Sequence, residues 1–196
     1  MPLIKIILGS TRPNRFGAQP AAWLMELAKE HPEATFELID LKEVNLPLLD
    51  EPQPALSGNY TQEHTKAWAK TIGEADGFVI VTGEYNYSIP GALKNAIDFL
   101  AAEWRYKPVA FVGYGAAAGG ARAISHLQNV AANVGWFDLR DSLALVNYWE
   151  KLDENHQYQF SDDQTQTAHK LLKNVAFWAE KLKPVRDEIA AQKADA

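Results

Sequence analysis

Cysteine is absent from all 196 residues, and that absence excludes more chemistry than any motif does. Without thiolates there are no disulfides, iron–sulfur clusters, cysteine zinc sites or cysteine nucleophiles. Redox work by this chain would need a borrowed cofactor. Long apolar runs are also missing: nothing approaches the ~18 residues of a membrane span. The opening stretch from Met1 is broken by Gly9 too soon for a secretory signal, so a cytoplasmic location is expected. Positive charge is scarce. Lys and Arg number 19 against 25 Asp and Glu, a net charge of −6, with no basic run. Nucleic acid is therefore not an expected partner. The five histidines, His31, His64, His126, His156 and His169, are scattered, and no H-E-x-x-H occurs, so no metal is expected. No G-x-S-x-G elbow suggests a hydrolase.

What is present is a sizeable core. At 47% hydrophobic residues, a chain of this length is expected to form one domain spanning 1–196. Short apolar runs alternate with helical patterns. Strands are expected over 3–8, 35–41, 77–82, 109–113 and 137–146, because each is a buried-type run bounded by turn residues. Helices are expected over 18–29, 61–74, 91–102 and 120–134, the last capped by Gly135. Pro90 suits the start of the third of these. An irregular, proline-rich segment fills 42–60. Ser161-x-x-Gln164 reads as a capping box opening a final helix, which Pro184 should break or bend, leaving a frayed tail over about 185–196. Five strands interleaved with helices imply an α/β fold with a parallel sheet covered on both faces.

Ligands of such sheets bind beyond the carboxyl ends of the strands, where strand order reverses. Three loops leave the first, third and fourth strands there. Gly9-Ser10-Thr11-Arg12-Pro13-Asn14-Arg15-Phe16-Gly17 precedes a helix and combines glycines, hydroxyls and two arginines, which suits a phosphate. It lacks the G-K-[ST] of a Walker loop. The plain alternative is a polar turn with surface arginines. Gly83-Glu84-Tyr85-Asn86-Tyr87-Ser88-Ile89-Pro90 places two tyrosines and an amide in a connection, for a planar ligand or simply for packing. Gly113-Tyr114-Gly115-Ala116-Ala117-Ala118-Gly119-Gly120 lets backbone approach a flat molecule. In strand order 2-1-3-4-5 the loops form one rim, and a ligand with a phosphate tail and a flat polar ring, FMN, fits it.

The motifs G-S-T-R-P-N-R-F-G and G-E-Y-N-Y-S-I-P-G-A-L-K-N-A-I-D-F-L closely resemble those of the NADPH-dependent FMN reductase family, whose relatives include quinone, azo-dye and chromate reductases. The resemblance extends over Leu46-Pro47-Leu48-Leu49-Asp50 and the glycine-rich loop, to about Leu182. It implies a flavodoxin-like three-layer α/β/α sandwich. It also implies that Ser10, Arg12, Asn14, Arg15, Phe16 and Gly17 hold the FMN phosphate. Glu84, Tyr85, Asn86 and Tyr87 lie along the isoalloxazine, and Tyr114, Gly115 and Gly120 meet its pyrimidine side. The implied activity is ping-pong hydride transfer from NADPH or NADH to FMN, quinones, azo compounds or metal oxyanions, with no protein side chain as acid, base or nucleophile. A homodimer or homotetramer is implied too, with Trp104 and Tyr106 as candidate contacts. The family usually has proline where this chain has Gly83, which would loosen the loop. A free arginine, Arg15 or Arg122, could take a 2′-phosphate. The alternatives are a flavodoxin-like electron carrier and a flavin-bound sensor docking through the aromatic stretch from Tyr148 to Phe160. Those aromatics read more simply as core or subunit contacts.

Overall fold

A computed structural model describes residues 1–194. Five parallel strands form one sheet in the order β2-β1-β3-β4-β5: β1 (Leu3–Leu8), β2 (Thr35–Asp40), β3 (Gly77–Gly83), β4 (Pro108–Gly115) and β5 (Phe137–Val146). This is the expected flavodoxin-like order. β1, β3 and β4 are buried on both faces, which is why they read as unbroken apolar runs. Alternation assigns each face its core. Ile4, Ile6, Leu8, Val79, Val81 and Val112 meet α1 (Ala18–Ala28) and α6 (Asp162–Ala194). Ile7, Phe78, Ile80 and Phe111 meet α3 (Glu63–Gly73), α4 (Gly91–Asp98) and α5 (Ala121–Val134).

Several expectations change in detail. The segment taken as irregular contains a short helix, α2 (Leu41–Val44), capped by the Asp40 carboxylate, which accepts from Lys42 N at 2.9 Å. α4 stops at Asp98, and the chain continues to a 3-10 turn at Ala102–Trp104. That turn buries Trp104 at 1% exposure against Trp68, Phe78 and Trp136, so Trp104 is core and not a subunit contact. Tyr106 is 43% exposed.

The capping box is present in both directions: Ser161 N donates to Gln164 Oε1 at 2.9 Å, and Gln164 N to Ser161 Oγ at 3.3 Å. The helix it opens is not broken by Pro184 but runs through it to Ala194. Arg186 holds that end down, donating to Asp76 Oδ1 at 2.5 Å, while Asp76 also accepts from Leu3 N. Helix thus replaces the frayed tail as far as Ala194; the last two residues of that expected tail lie outside the described residues. Among the described residues, no helix is long and apolar enough to cross a membrane.

Candidate functional site

The loops after β1, β3 and β4 meet at the carboxyl rim of the sheet. Gly9 N donates to Val81 O at 2.9 Å, pinning the first loop to β3. Among the described residues, no backbone N–H of residues 10–17 donates within the chain. α1 then begins at Gly17 with no side-chain cap and no acidic residue in its first turn. Unpaired amides leading into an uncapped helix make a receptor for an anion. Arg12 stands exposed at its mouth, 5.8 Å from the centre of the Tyr85 ring. Asn14 adopts φ 52°, a conformation asparagine tolerates.

The two arginines differ in role. Arg15 is nearly buried and ion-paired to Asp40 at the end of β2, leaving its Nε buried without a partner. Arg122 is paired to Glu84 at 2.8 Å and lies 4.3 Å over the Tyr87 ring. Neither is the free arginine expected for a 2′-phosphate.

In the second loop, Tyr85 and Ser88 exchange backbone hydrogen bonds of 2.9 and 3.0 Å, closing a turn whose central residues Asn86 and Tyr87 have φ 51° and 64°. Two positive φ values in succession define a type I′ turn. Tyrosine is strained there, and such strain gathers at functional sites. The Glu84 carboxylate accepts from Arg122 N at 3.0 Å as well as from the guanidinium, tying the turn to the positive start of α5. Ser10 is fully buried, its Oγ 2.8 Å from Tyr85 Oη, so the first two loops share a hydrogen bond.

Tyr114, near the end of β4, lies between two glycines. A Cβ at Gly17 would fall 2.7 Å from Tyr114 Oη, and one at Gly83 2.8 Å from its Cε2. Gly83, where the family usually has proline, therefore leaves space for the Tyr114 ring. Tyr114 is 5% exposed and its hydroxyl has no partner. Burial, with Tyr85 next to it, pushes its pKa up to about 12, so it is a neutral donor at ordinary pH. Gly120 has φ 88°, and a Cβ there would lie 2.5 Å from Tyr114 N. It lets the third loop fold back on β4 and does not line the cleft, whereas Gly115 does.

The fourth wall was not expected from the sequence. A 3-10 turn, Tyr148–Lys151, follows β5 and brings Tyr148 and Trp149 to the same cleft. Tyr148 stacks on Phe16 at 3.9 Å with planes 19° apart. The Gln19 amide fixes the segment beyond, donating to His156 O at 2.8 Å and accepting from Tyr158 N at 2.7 Å. The available signal was positional: β5 is next to β4, so residues just after it reach the same rim.

The cleft holds about 220 Å³, with Arg12, Asn14, Arg15, Tyr85, Tyr114 and Trp149 in its walls. Asn86 and Tyr87 lie outside it at the exposed turn tip, while Ser10 and Gly17 are buried and do not line it. A larger cavity of about 530 Å³ opens at the opposite end of the sheet, beside Asp76, Lys107 and Arg186. Volume favours that cavity. The free amides, the unpartnered Tyr114 Oη and Arg15 Nε, and the strained turn all favour the rim, which is where doubly wound sheets bind ligands.

Comparison with known proteins gives the chain relatives in both sequence and fold. A model of the NADPH-dependent FMN reductase family matches residues 2–150. An NAD(P)H-dependent FMN reductase of Schizosaccharomyces pombe is 45% identical over 132 residues, 66% of each chain. A 2-hydroxy-1,4-benzoquinone reductase of Burkholderia is 36% identical over 135 residues, 66% of this chain and 69% of that one. The match thus spans just under two thirds of the length of the S. pombe relative. Among solved structures, FerB of Paracoccus denitrificans, a flavoenzyme NAD(P)H:(acceptor) oxidoreductase, shares the fold. It has a TM-score of 0.74 and 23% identity over 93% of this chain and 99% of its own.

Proposed function

We propose a function from one premise: this chain belongs to the NADPH-dependent FMN reductase family. On our reading it is an FMN-dependent oxidoreductase that draws hydride from NADPH or NADH. It passes the hydride to free FMN, a quinone, an azo compound or a metal oxyanion, the donor and acceptor visiting in turn. The observation that carries this reading is the convergence on one cleft of unpaired amides and two unpartnered buried polar atoms, Tyr114 Oη and Arg15 Nε.

These residues fit FMN. When bound, the flavin supplies the redox chemistry, accepting hydride from a nicotinamide and giving it up to an acceptor. The amides of residues 10–17 and the exposed Arg12 would hold its phosphate, with Ser10, Asn14, Phe16 and Gly17 shaping the cradle. Arg15 would act from the side, keeping the loop closed through Asp40, with its Nε buried and unpartnered. Tyr85, with the backbone of Glu84, Asn86 and Tyr87, would wall the ring, and Tyr114 and Gly115 would form its floor. Orientation and exclusion of water are then the protein's contributions. The cleft, at about 220 Å³, is smaller than the roughly 300–1,000 Å³ of enclosed ligand sites, so it would not fully enclose a flavin.

We also propose that residues 1–196 form one domain, that the protein is cytoplasmic, and that it works as a homodimer or homotetramer. Support for assembly is the exposed apolar surface at Leu48 and Leu56, 85% and 73% accessible.

The test is the absorbance spectrum of the purified protein, reconstituted with FMN if needed, followed by anaerobic NADPH. Flavin bands that bleach within seconds are expected. Bands that persist with NADPH and NADH would make the protein a carrier or sensor. A protein that binds no FMN would overturn the assignment of the rim.

A further inference from the structure

The larger cavity, about 530 Å³ at the amino end of the sheet, is bordered by a group that the rim does not use. Lys107 lies just before β4, and its side chain, 5% exposed, stands in the cavity wall. Its Nζ donates to Ile72 O at 2.8 Å and to Gly73 O at 3.1 Å, both at the C-terminal end of α3. Among the described residues, no carboxylate forms an ion pair with it. The other deeply buried lysine, Lys5, differs: Glu37 lies 3.2 Å and Glu74 3.7 Å from its Nζ. Asp76, which could have served Lys107, is already engaged. It accepts from Arg186 at 2.5 Å and from Leu3 N at 2.9 Å, with Lys183 Nζ at 3.6 Å.

An ammonium carries three N–H groups, and two acceptors meet them here. The third would be buried with neither an acceptor nor a counter-ion, which is costly. A neutral amine spends its two N–H groups on the two carbonyls and keeps a lone pair. The charges that face it are Arg186 on α6, Asp76 ahead of β3, Glu103 in the 3-10 turn and Lys5 on β1. Burial, helped by Arg186, outweighs the two carboxylates and pushes the pKa down to about 7. A desolvated lysine amine of this kind is a nucleophile at neutral pH. Arg105 and Lys183 stand in the cavity walls among Glu74, Glu103 and Asp187, supplying cations to receive a phosphate leaving group.

We propose that Lys107 is a modification site, whose Nζ takes an acyl group from a small acyl phosphate admitted to this cavity. The amine lone pair attacks the acyl carbonyl carbon. An N–C bond forms, the C–O bond to phosphate breaks, and the proton lost from the amine leaves with the phosphate. The product is an amide. It keeps one N–H for a carbonyl of α3 and leaves no charge to bury, so acylation removes the cost of an unpaired ammonium. The site lies at the opposite end of the sheet from the cleft and does not depend on the flavin reading.

The test incubates the full chain, with FMN added, with acetyl phosphate and follows each lysine by quantitative peptide mass spectrometry. Near neutral pH, Lys107 is expected to gain acetyl at least about fivefold faster than the exposed Lys42 and Lys173. Its rate should rise through about pH 7 and level off above it, whereas the rate at Lys42 keeps climbing beyond about pH 9. Lys107→Arg should remove the fast acetyl group from the intact-protein mass, with circular dichroism reporting its folding. The ratio of rates in the parent decides the matter even if that variant does not fold. Lys107 modified no faster than Lys42, or a Lys107 rate that keeps climbing beyond about pH 9, overturns the proposal.

Discussion

Tyr114 is the most tightly fitted single residue of the cleft. Its ring needs two glycines to fit, and its hydroxyl is buried without a partner. A buried polar group left unpaired costs stability, so removing it should not harm the protein alone. Tyr114→Phe is expected to keep or raise the thermal midpoint of the flavin-free protein. It should also weaken FMN binding about five- to tenfold, the worth of one hydrogen bond of about 1 kcal/mol. Thermal melts of the flavin-free protein check the first half and a fluorescence titration with FMN the second. Lys107 makes a second case. Its amine, 5% exposed, donates to Ile72 O and Gly73 O at the end of α3. Burial, helped by Arg186, pushes its pKa down from 10.5 to about 7. Between those values the unfolded chain binds a proton that the folded chain does not, so stability rises with pH across that window. Urea midpoints measured from pH 7 to 9.5 should climb, and the climb should flatten in Lys107→Met. The sequence showed the lysine but not its burial, because the carbonyls that hold it lie some 35 positions earlier in the chain.

At the scale of elements, α6 departs most from its sequence. Local rules place its start correctly at Ser161, since a capping box involves only neighbours in the chain. The same rules fail at Pro184, because what keeps the helix going is a distant ion pair, Arg186 with Asp76. Proline there still removes a backbone donor and crowds the carbonyl of the preceding turn. Pro184 is exposed, so Pro184→Ala is expected to stabilise the protein by about 1–3 kcal/mol, as measured by chemical denaturation. A loss of stability would mean that the local bend is needed to seat Arg186.

For the whole molecule, the parallel sheet in the order 2-1-3-4-5 explains why loops separated by up to a hundred residues meet. β1, β3 and β4 are neighbours, and each ends at the same rim. The surface also carries exposed leucines on the segment from Leu46 to Ser57 and half-exposed Trp149 beside the cleft. Light scattering on a size-exclusion column should therefore give a mass of two or four chains. Leu48→Glu combined with Leu56→Glu should shift that mass toward one chain; a parent that runs as a monomer would exclude assembly through this surface.

Alternating apolar runs, caps and glycine stops are local properties, and the sequence alone determined from them the five strands, most helix boundaries and the order of the three loops. Family motifs, being contiguous, were equally legible. Tertiary structure alone decided which of the arginines stays free, that Trp104 is core, that Gly83 makes room for Tyr114, and that Tyr148 and Trp149 close the cleft. Each of those outcomes depends on a partner far along the chain. Periodicity records which face of an element is apolar, but not what that face, or a charged side chain beside it, will meet.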